Sequence, residues 1–262
     1  MAPTALITGA SQGTGRATAL LFAQQGYDVV LAARRPDPLE QVAQEVSALG
    51  QRALPVPTDV GEAEAVQSLV EQAIAFAGSI DVLVNNAGIC LTGPTEDTTL
   101  EDWNQILNTN LWGCIHTIQA LLPQFLAQGQ GAIVNVGSFG GKMPLPYMTA
   151  YCTSKYAITG LTDTLRLELR PKGIHVAIVH PGIINSSFME RAMFRGEDAA
   201  DRQQQMQQAL SSAIASQPED IAKAIWHAVN KTQTETVVGP VAIATEAYRL
   251  LPGVLQWVLQ PK

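Results

Sequence analysis

Thr4-Ala5-Leu6-Ile7-Thr8-Gly9-Ala10-Ser11-Gln12-Gly13-Thr14-Gly15-Arg16 places three glycines between a short apolar run and a helix-like segment. Thr4–Thr8 has the composition of a strand buried on both faces, and Arg16–Gln25 carries a helical pattern. In the turn between them Gly9 permits a tight reversal. Gly13 lets the backbone approach an anion, and Gly15 lets helix and strand pack closely. Free N–H groups at the helix start, aided by its dipole, suit a pyrophosphate. Gly9, Ser11, Gln12, Gly13, Thr14 and Gly15 are therefore candidate contacts. The spacing is G-x-x-x-G-x-G, which differs from the general G-x-G-x-x-G fingerprint. Three glycines in a turn also suit an ordinary loop, but their place after the first strand and before a helix favours binding.

Working outward, strand-like runs recur at Thr4–Thr8, Asp28–Ala33, Ala53–Pro57, Asp81–Val84, Ala132–Val136, His175–Val179 and Thr236–Val238. Most are separated by segments long enough for a helix. This is a series of βαβ units, and right-handed crossovers turn such a series into an α/β doubly wound parallel sheet of about seven strands with helices on both faces. No repeat or Gly/Ser linker divides the chain, so residues 1–262 are expected to form one domain. Asp37-Pro38-Leu39-Glu40 has capping-box spacing with proline in the first helical position. Thr99-Leu100-Glu101-Asp102 is a similar start, with Asp in the third position. It opens an apolar stripe through Trp103, Ile106, Leu107, Leu111, Cys114, Ile118, Leu122 and Phe125. Residues 183–217 depart from the alternation. Their Met, Gln and Ala content suits a partly mobile helical insertion.

Composition narrows the function. Of 262 residues 47% are hydrophobic and 15% charged, enough for a large core. The net charge of −7 argues against a nucleic-acid partner. Three unpaired-looking cysteines (Cys90, Cys114, Cys152) exclude a disulfide scaffold and a CxxC knuckle, and point to a reducing, cytoplasmic setting. Met1 is followed within a few residues by Ala5-Leu6-Ile7, without a basic leader. The stretch 250–259 is too short and too interrupted by Pro252-Gly253 for stable membrane insertion, and suits packing on the core, a second subunit or a membrane surface. His116, His175, His180 and His227 lack metal-ligand spacing, so no metal site is expected. His180 precedes Pro181-Gly182 and is either a core residue or a contact near a site there.

Tyr151 and Lys155 are four apart in a helix-like segment and share one face. A phenol near its usual pKa of ~10 is a poor base at neutral pH. A neighbouring ammonium favours the phenolate and is expected to lower that value. Such a tuned tyrosine could exchange a proton with a substrate oxygen. Ser138 closes the fifth strand at the carboxyl end, where such sheets bind ligands. Asn110 lies on an apolar stripe, where its carboxamide must find partners. Cys152 points away from Tyr151's direction, and Glu62 and Glu64 suit a solvated helix start.

Taken in order, Thr8-Gly-x-x-x-Gly-x-Gly, Asn85-Asn86-Ala87-Gly88, Ser138, Tyr151-x-x-x-Lys155 and Pro181-Gly182 resemble the motif set of the short-chain dehydrogenases/reductases, from about Thr4 to Pro240. The resemblance implies hydride transfer between a nicotinamide dinucleotide and a carbonyl or alcohol, with Asn110, Ser138, Tyr151 and Lys155 as catalytic tetrad. It implies that Asn110 holds a water beside the lysine. It also places Asp59 and Val60 at the adenine, Asn86, Ala87 and Gly88 beside the ribose, and Tyr151 and Lys155 on the cofactor as well. Pro181, Gly182, Ile183 and Ser186 fall at the nicotinamide, Ser186 standing where the family usually has Thr. After the second strand an acidic residue would select NAD, but Ala33 is followed by Arg34 and Arg35, which suit a 2′-phosphate. NADP(H) is the expected cofactor, mainly through Arg34.

A homotetramer or dimer is expected by the same resemblance. Phe188, Met189, Met193, Phe194 and Met206, with Phe139, Met143, Leu145 and Met148, are expected to form a soft apolar wall for medium-sized or aryl carbonyl substrates. Alternatives are a β-ketoacyl carrier-protein reductase and a non-catalytic NADP redox sensor.

Overall fold

The structure, a computed structural model, describes residues 2–185, 188, 192–210, 215–230 and 233–260. The first half alternates regularly: β1 (Thr4–Thr8), α1 (Gly13–Gln24), β2 (Asp28–Ala33), α2 (Pro36–Ala48), β3 (Ala53–Pro57), α3 (Ala63–Ala77) and β4 (Val82–Asn85). A two-residue β5 (Leu91–Thr92) follows, then α4 (Leu100–Leu107), α5 (Gly113–Gln128), β6 (Gly131–Val136) and α6 (Thr149–Leu169). The chain continues through β7 (Ile174–Pro181), β8 (Met193–Phe194), α7 (Ala199–Leu210), α8 (Pro218–Asn230), β9 (Glu235–Val238), α9 (Val241–Leu250) and α10 (Pro252–Val258).

Seven strands form one parallel sheet in the order β3-β2-β1-β4-β6-β7-β9. Period-two alternation along the strands feeds two cores. Ala5, Ile7, Val29, Leu31, Val84 and Val134 pack with Phe22 and Ile225 on the side of α1, α2 and α8. Leu6, Val30, Leu83 and Ile133 pack with Leu69, Leu121 and Phe125 on the other side, against α3 and α5. Burial on both faces explains why these strands are uniformly apolar. The chain winds outward from β1 to β3, then returns to β4 on the opposite side. The carboxyl ends of β1 and β4 therefore diverge into a crevice, which is where this architecture takes ligands.

Local details correct the sequence reading in places. α2 starts at Pro36, one residue from Arg35 as its N-cap, and no side chain caps it. The expected Asp37 box does not form, because Asp37 already lies in the first turn. At Thr99 the reciprocal pair does form: Thr99 Oγ1 accepts from the Asp102 N–H at 3.1 Å, and the Thr99 N–H donates to Asp102 Oδ2 at 3.1 Å. The apolar stripe that follows is interrupted by a π-helical turn at Asn108–Trp112, which turns Asn110 fully inward. Among the described residues of 183–217, helix and short strand pairings both occur. Ile184 bridges to Ser216 at its base, β8 pairs with β5, and α7 supplies the helix.

Candidate active site

The crevice is built first from backbone. Thr8 Oγ1, at the end of β1, accepts from the N–H groups of Asn86 and Ala87, both at 3.0 Å. Asn86 Nδ2 donates back to Thr8 O at 3.0 Å and Gly9 O at 3.3 Å. These bonds tie the diverging strand ends together, so Asn86 steadies the crevice that it lines. Gly9 has φ of +64°, and a Cβ there would stand 2.9 Å from the Ala87 Cα. A Cβ on Gly15 would meet Gly9 O at 2.2 Å, so only glycine lets α1 start this close to the turn. Gln12 is the N-cap of α1 and its side chain makes no capping bond. The first-turn N–H groups of α1 thus remain available to an anion.

One cavity of about 400 Å³ extends from this turn across the crevice. Gly9, Ser11, Gln12, Gly13, Thr14, Arg34, Arg35, Asp59 and Val60 line one part of it. Asn86, Ala87, Gly88, Ser138, Tyr151, Lys155, Pro181, Gly182 and Ile183 line the rest of the expected site. Gly15 stands behind the turn, and Asn110 behind the wall. Ser186 lies outside the described residues. Arg34 and Arg35 are exposed, and Arg35 reaches Gln12 Oε1 at 3.3 Å. Asp59 Oδ1 accepts the Gly61 N–H at 3.0 Å, which fixes its carboxylate at the rim.

Tyr151 and Lys155 project from the first turns of α6 and are both buried. Lys155 Nζ lies 5.8 Å from the Tyr151 ring centroid and donates to Val136 O at 3.0 Å. Ser138 caps a short 3-10 turn, its Oγ accepting the Gly140 N–H at 3.1 Å. The same hydroxyl stands near enough to the Tyr151 phenol to favour its ionised form. Asn110 accepts from the Ile89 N–H at 2.8 Å and donates to Ile89 O and Ser154 Oγ, both at 3.0 Å. Its carboxamide is therefore spent on the strand end and on α6.

Electrostatics depart from the expected tuning. Burial pushes the Tyr151 phenol well above its ordinary value, with the neighbouring Cys90 adding to the rise and the Ser138 bond opposing it. Burial likewise lowers the Lys155 ammonium. Lys155 stands beside the ring, and withdrawal from water is the leading influence on both groups.

The far part of the cavity is apolar. Phe139, Leu145, Met148, Phe188 and Met206 line it as expected, joined by Ile184 and Leu210. Met189 lies outside the described residues. Met193 and Phe194 belong instead to β8, Met193 packing with Leu91, Ile106 and Ala150. Met143 is buried away from the cavity. Thr58, Thr109 and Gly137 also line it without having been singled out in the sequence. Thr8, quoted only as the start of the glycine motif, proves to be its structural hinge. Among the described residues no group of three or more His, Cys, Asp or Glu could hold a metal ion, and no helix is long and apolar enough to cross a membrane.

Comparison with known proteins agrees with this geometry. The family model for short chain dehydrogenases matches residues 3–198. The 3-oxoacyl acyl-carrier-protein reductase FabG of Staphylococcus epidermidis is 38% identical over 192 residues, covering 71% of this chain and 77% of its own. A short-chain dehydrogenase/reductase from Burkholderia phymatum, solved in complex with NAD, superposes with a TM-score of 0.89 at 27% identity, covering 100% of this chain and 96% of its own. A metagenomic short-chain oxidoreductase in complex with NADP gives 0.74 at 29% identity, over 90% and 96% of the two chains. With the seven-stranded doubly wound sheet, the glycine turn and the Tyr151–Lys155 pair in place, the chain belongs to the short-chain dehydrogenase/reductase family of oxidoreductases.

Proposed function

We propose that the protein is an NADP(H)-dependent oxidoreductase that interconverts ketones or aldehydes with alcohols, acting on medium-sized apolar or aryl carbonyls. The observation that carries this is the meeting of Tyr151, Ser138 and Lys155 between an anion-binding turn and an apolar wall. A nicotinamide dinucleotide fits the first part. The glycine turn leaves α1 uncapped, Asp59 stands at the rim where the family resemblance puts the adenine, and Arg34 and Arg35 follow a strand that ends in Ala33. A guanidinium fork there suits a 2′-phosphate, and an acidic residue that would repel it is missing. When bound, this group supplies or accepts the hydride at the substrate carbon.

The chain's own residues handle the proton. The Ser138 hydroxyl holds the carbonyl oxygen beside the Tyr151 phenol. A phenol with its ordinary pKa of ~10 carries its proton at neutral pH, so Tyr151 is set to donate to an oxygen that gains charge during reduction. Lys155, fixed by Val136 O, stands beside the ring and near Gly88, where the family resemblance puts the ribose. The apolar wall excludes water, and the described lining of that part carries no charged side chain to pair with a carboxylate.

The similarity to FabG favours a second reading, reduction of a β-ketoacyl thioester. A panel of kcat/KM values with NADPH separates the two. We expect acetophenone or 2-octanone to exceed pyruvate, fructose and an acetoacetyl thioester by about tenfold or more. A thioester preference would select the second reading. A similar preference for pyruvate or fructose would overturn the apolar-wall argument.

A further inference from the structure

His180 is the penultimate residue of β7 and has no exposure to solvent. Its Nδ1 stands 2.9 Å from the backbone oxygen of Ser138. A carbonyl only accepts, so this nitrogen carries the proton and donates. The other face of the ring meets a carboxylate: Nε2 is 3.2 Å from Glu235 Oε1, within ion-pair reach but off the line of a good hydrogen bond. The same carboxylate oxygen takes Lys142 Nζ at 2.5 Å. Lys142 closes the short turn that Ser138 opens. The contacts thus form a ring: Ser138, its own turn, Lys142, Glu235, His180 and back to the Ser138 carbonyl.

Gly137 makes room for this arrangement. A Cβ there would stand 2.7 Å from His180 Nδ1 and 3.0 Å from its Cε1, so the imidazole fills the space a side chain would need. Val179 O accepts the Gly137 N–H at 2.7 Å, and the Gly141 N–H gives the Ser138 carbonyl a second donor at 2.9 Å. The peptide on which the Ser138 hydroxyl sits is held from the strand, from its turn and from His180. The Glu235 carboxyl is held below its ordinary value by its contacts with His180 and Lys142, against its partial burial.

We propose that His180 is a positioning residue whose Nδ1–H, backed by Glu235 and Lys142, fixes the Ser138 peptide so that the serine hydroxyl meets the substrate oxygen beside Tyr151. The inference rests on the role given to Ser138 above. Two polar variants separate positioning from mere packing. In His180→Asn the amide nitrogen sits as many bonds from the backbone as Nδ1 does, and keeps the donor to Ser138 O. In His180→Gln it matches Nε2 and faces Glu235 instead. With NADPH and acetophenone, His180→Asn should keep kcat within about threefold of wild type, and His180→Gln should lose about tenfold or more. The NADPH dissociation constant should stay within about twofold in both. Equal kcat in the two variants, high or low, would overturn the proposal.

A second readout needs no turnover. In protein labelled with 15N-histidine, the His180 Nδ1–H should be a slowly exchanging resonance, in contrast to exposed His227. Exchange as fast as that of His227 would overturn the proposal. Wild-type protein inactive on every carbonyl tested would count against the proposed function, and the exchange measurement would then decide the His180 contact by itself.

Discussion

Arg34 stands exposed at the end of β2 while Arg35 is partly engaged by Gln12, so the free guanidinium is the better candidate for a 2′-phosphate. A planar fork matches phosphate geometry, and little else at this rim distinguishes the two dinucleotides. Arg34→Ala should therefore raise the KM for NADPH by about tenfold or more while changing that for NADH by less than about threefold. Steady-state kinetics with both cofactors checks this, and equal effects would remove Arg34 from the assignment. Asn110 shows a different lesson at the same scale. Its place on an apolar stripe signalled a buried carboxamide in need of partners. The partners themselves, Ile89 and Ser154, come from two other elements and could not be read from local spacing.

Among the elements, β8 fastens the insertion to the helix behind the crevice. Arg195, just after it, donates from its guanidinium to both oxygens of Asp102, at 2.6 and 3.1 Å. Asp102 is buried and also caps α4, so one carboxylate joins the insertion to the helix behind the crevice. The Arg195 bond, ahead of the Thr99 contacts, holds the Asp102 carboxyl below its ordinary value against some desolvation. A depressed folded-state pKa contributes stability that is present above the unfolded value and lost as pH falls through the folded one. Arg195→Ala should cost about 1–3 kcal/mol at neutral pH. The gap between the urea midpoints of variant and wild type should narrow on going from pH 7 to about pH 3. A gap independent of pH would show that the pair contributes little through its charge. The repeating elements were legible because each buried strand and amphipathic helix carries its own period; β1, β2 and β3 match their expected bounds residue for residue. β5 and β8 escaped because two-residue strands have no period, and their pairing links segments about a hundred residues apart. The start of α2 was misplaced by a proline-rich run in which Pro36 and Pro38 both suit a first turn.

Across the whole molecule the winding of the sheet decides what meets what. The divergence of β1 and β4 places the glycine turn, the ends of β6 and β7, and α6 around one cavity, although they are far apart in the chain. Motif order anticipated this gathering, so most of the expected cofactor and catalytic positions fall on the same cavity. The exceptions are physical. Met193 and Phe194 read as pocket residues by composition, yet both belong to β8, and Met193 packs against α4. The ring through His180, Glu235 and Lys142 joins three separate elements with no motif between them. The burial of Tyr151, which raises its phenol, also belongs to this scale, because the walls that cover it come from several elements. Removing only that proton tests the central claim. Tyr151→Phe should bind NADPH with a dissociation constant within about twofold of wild type, by fluorescence titration, and its kcat for acetophenone reduction should fall to less than a few per cent. Intact NADPH binding with kcat above that level would contradict proton transfer by Tyr151.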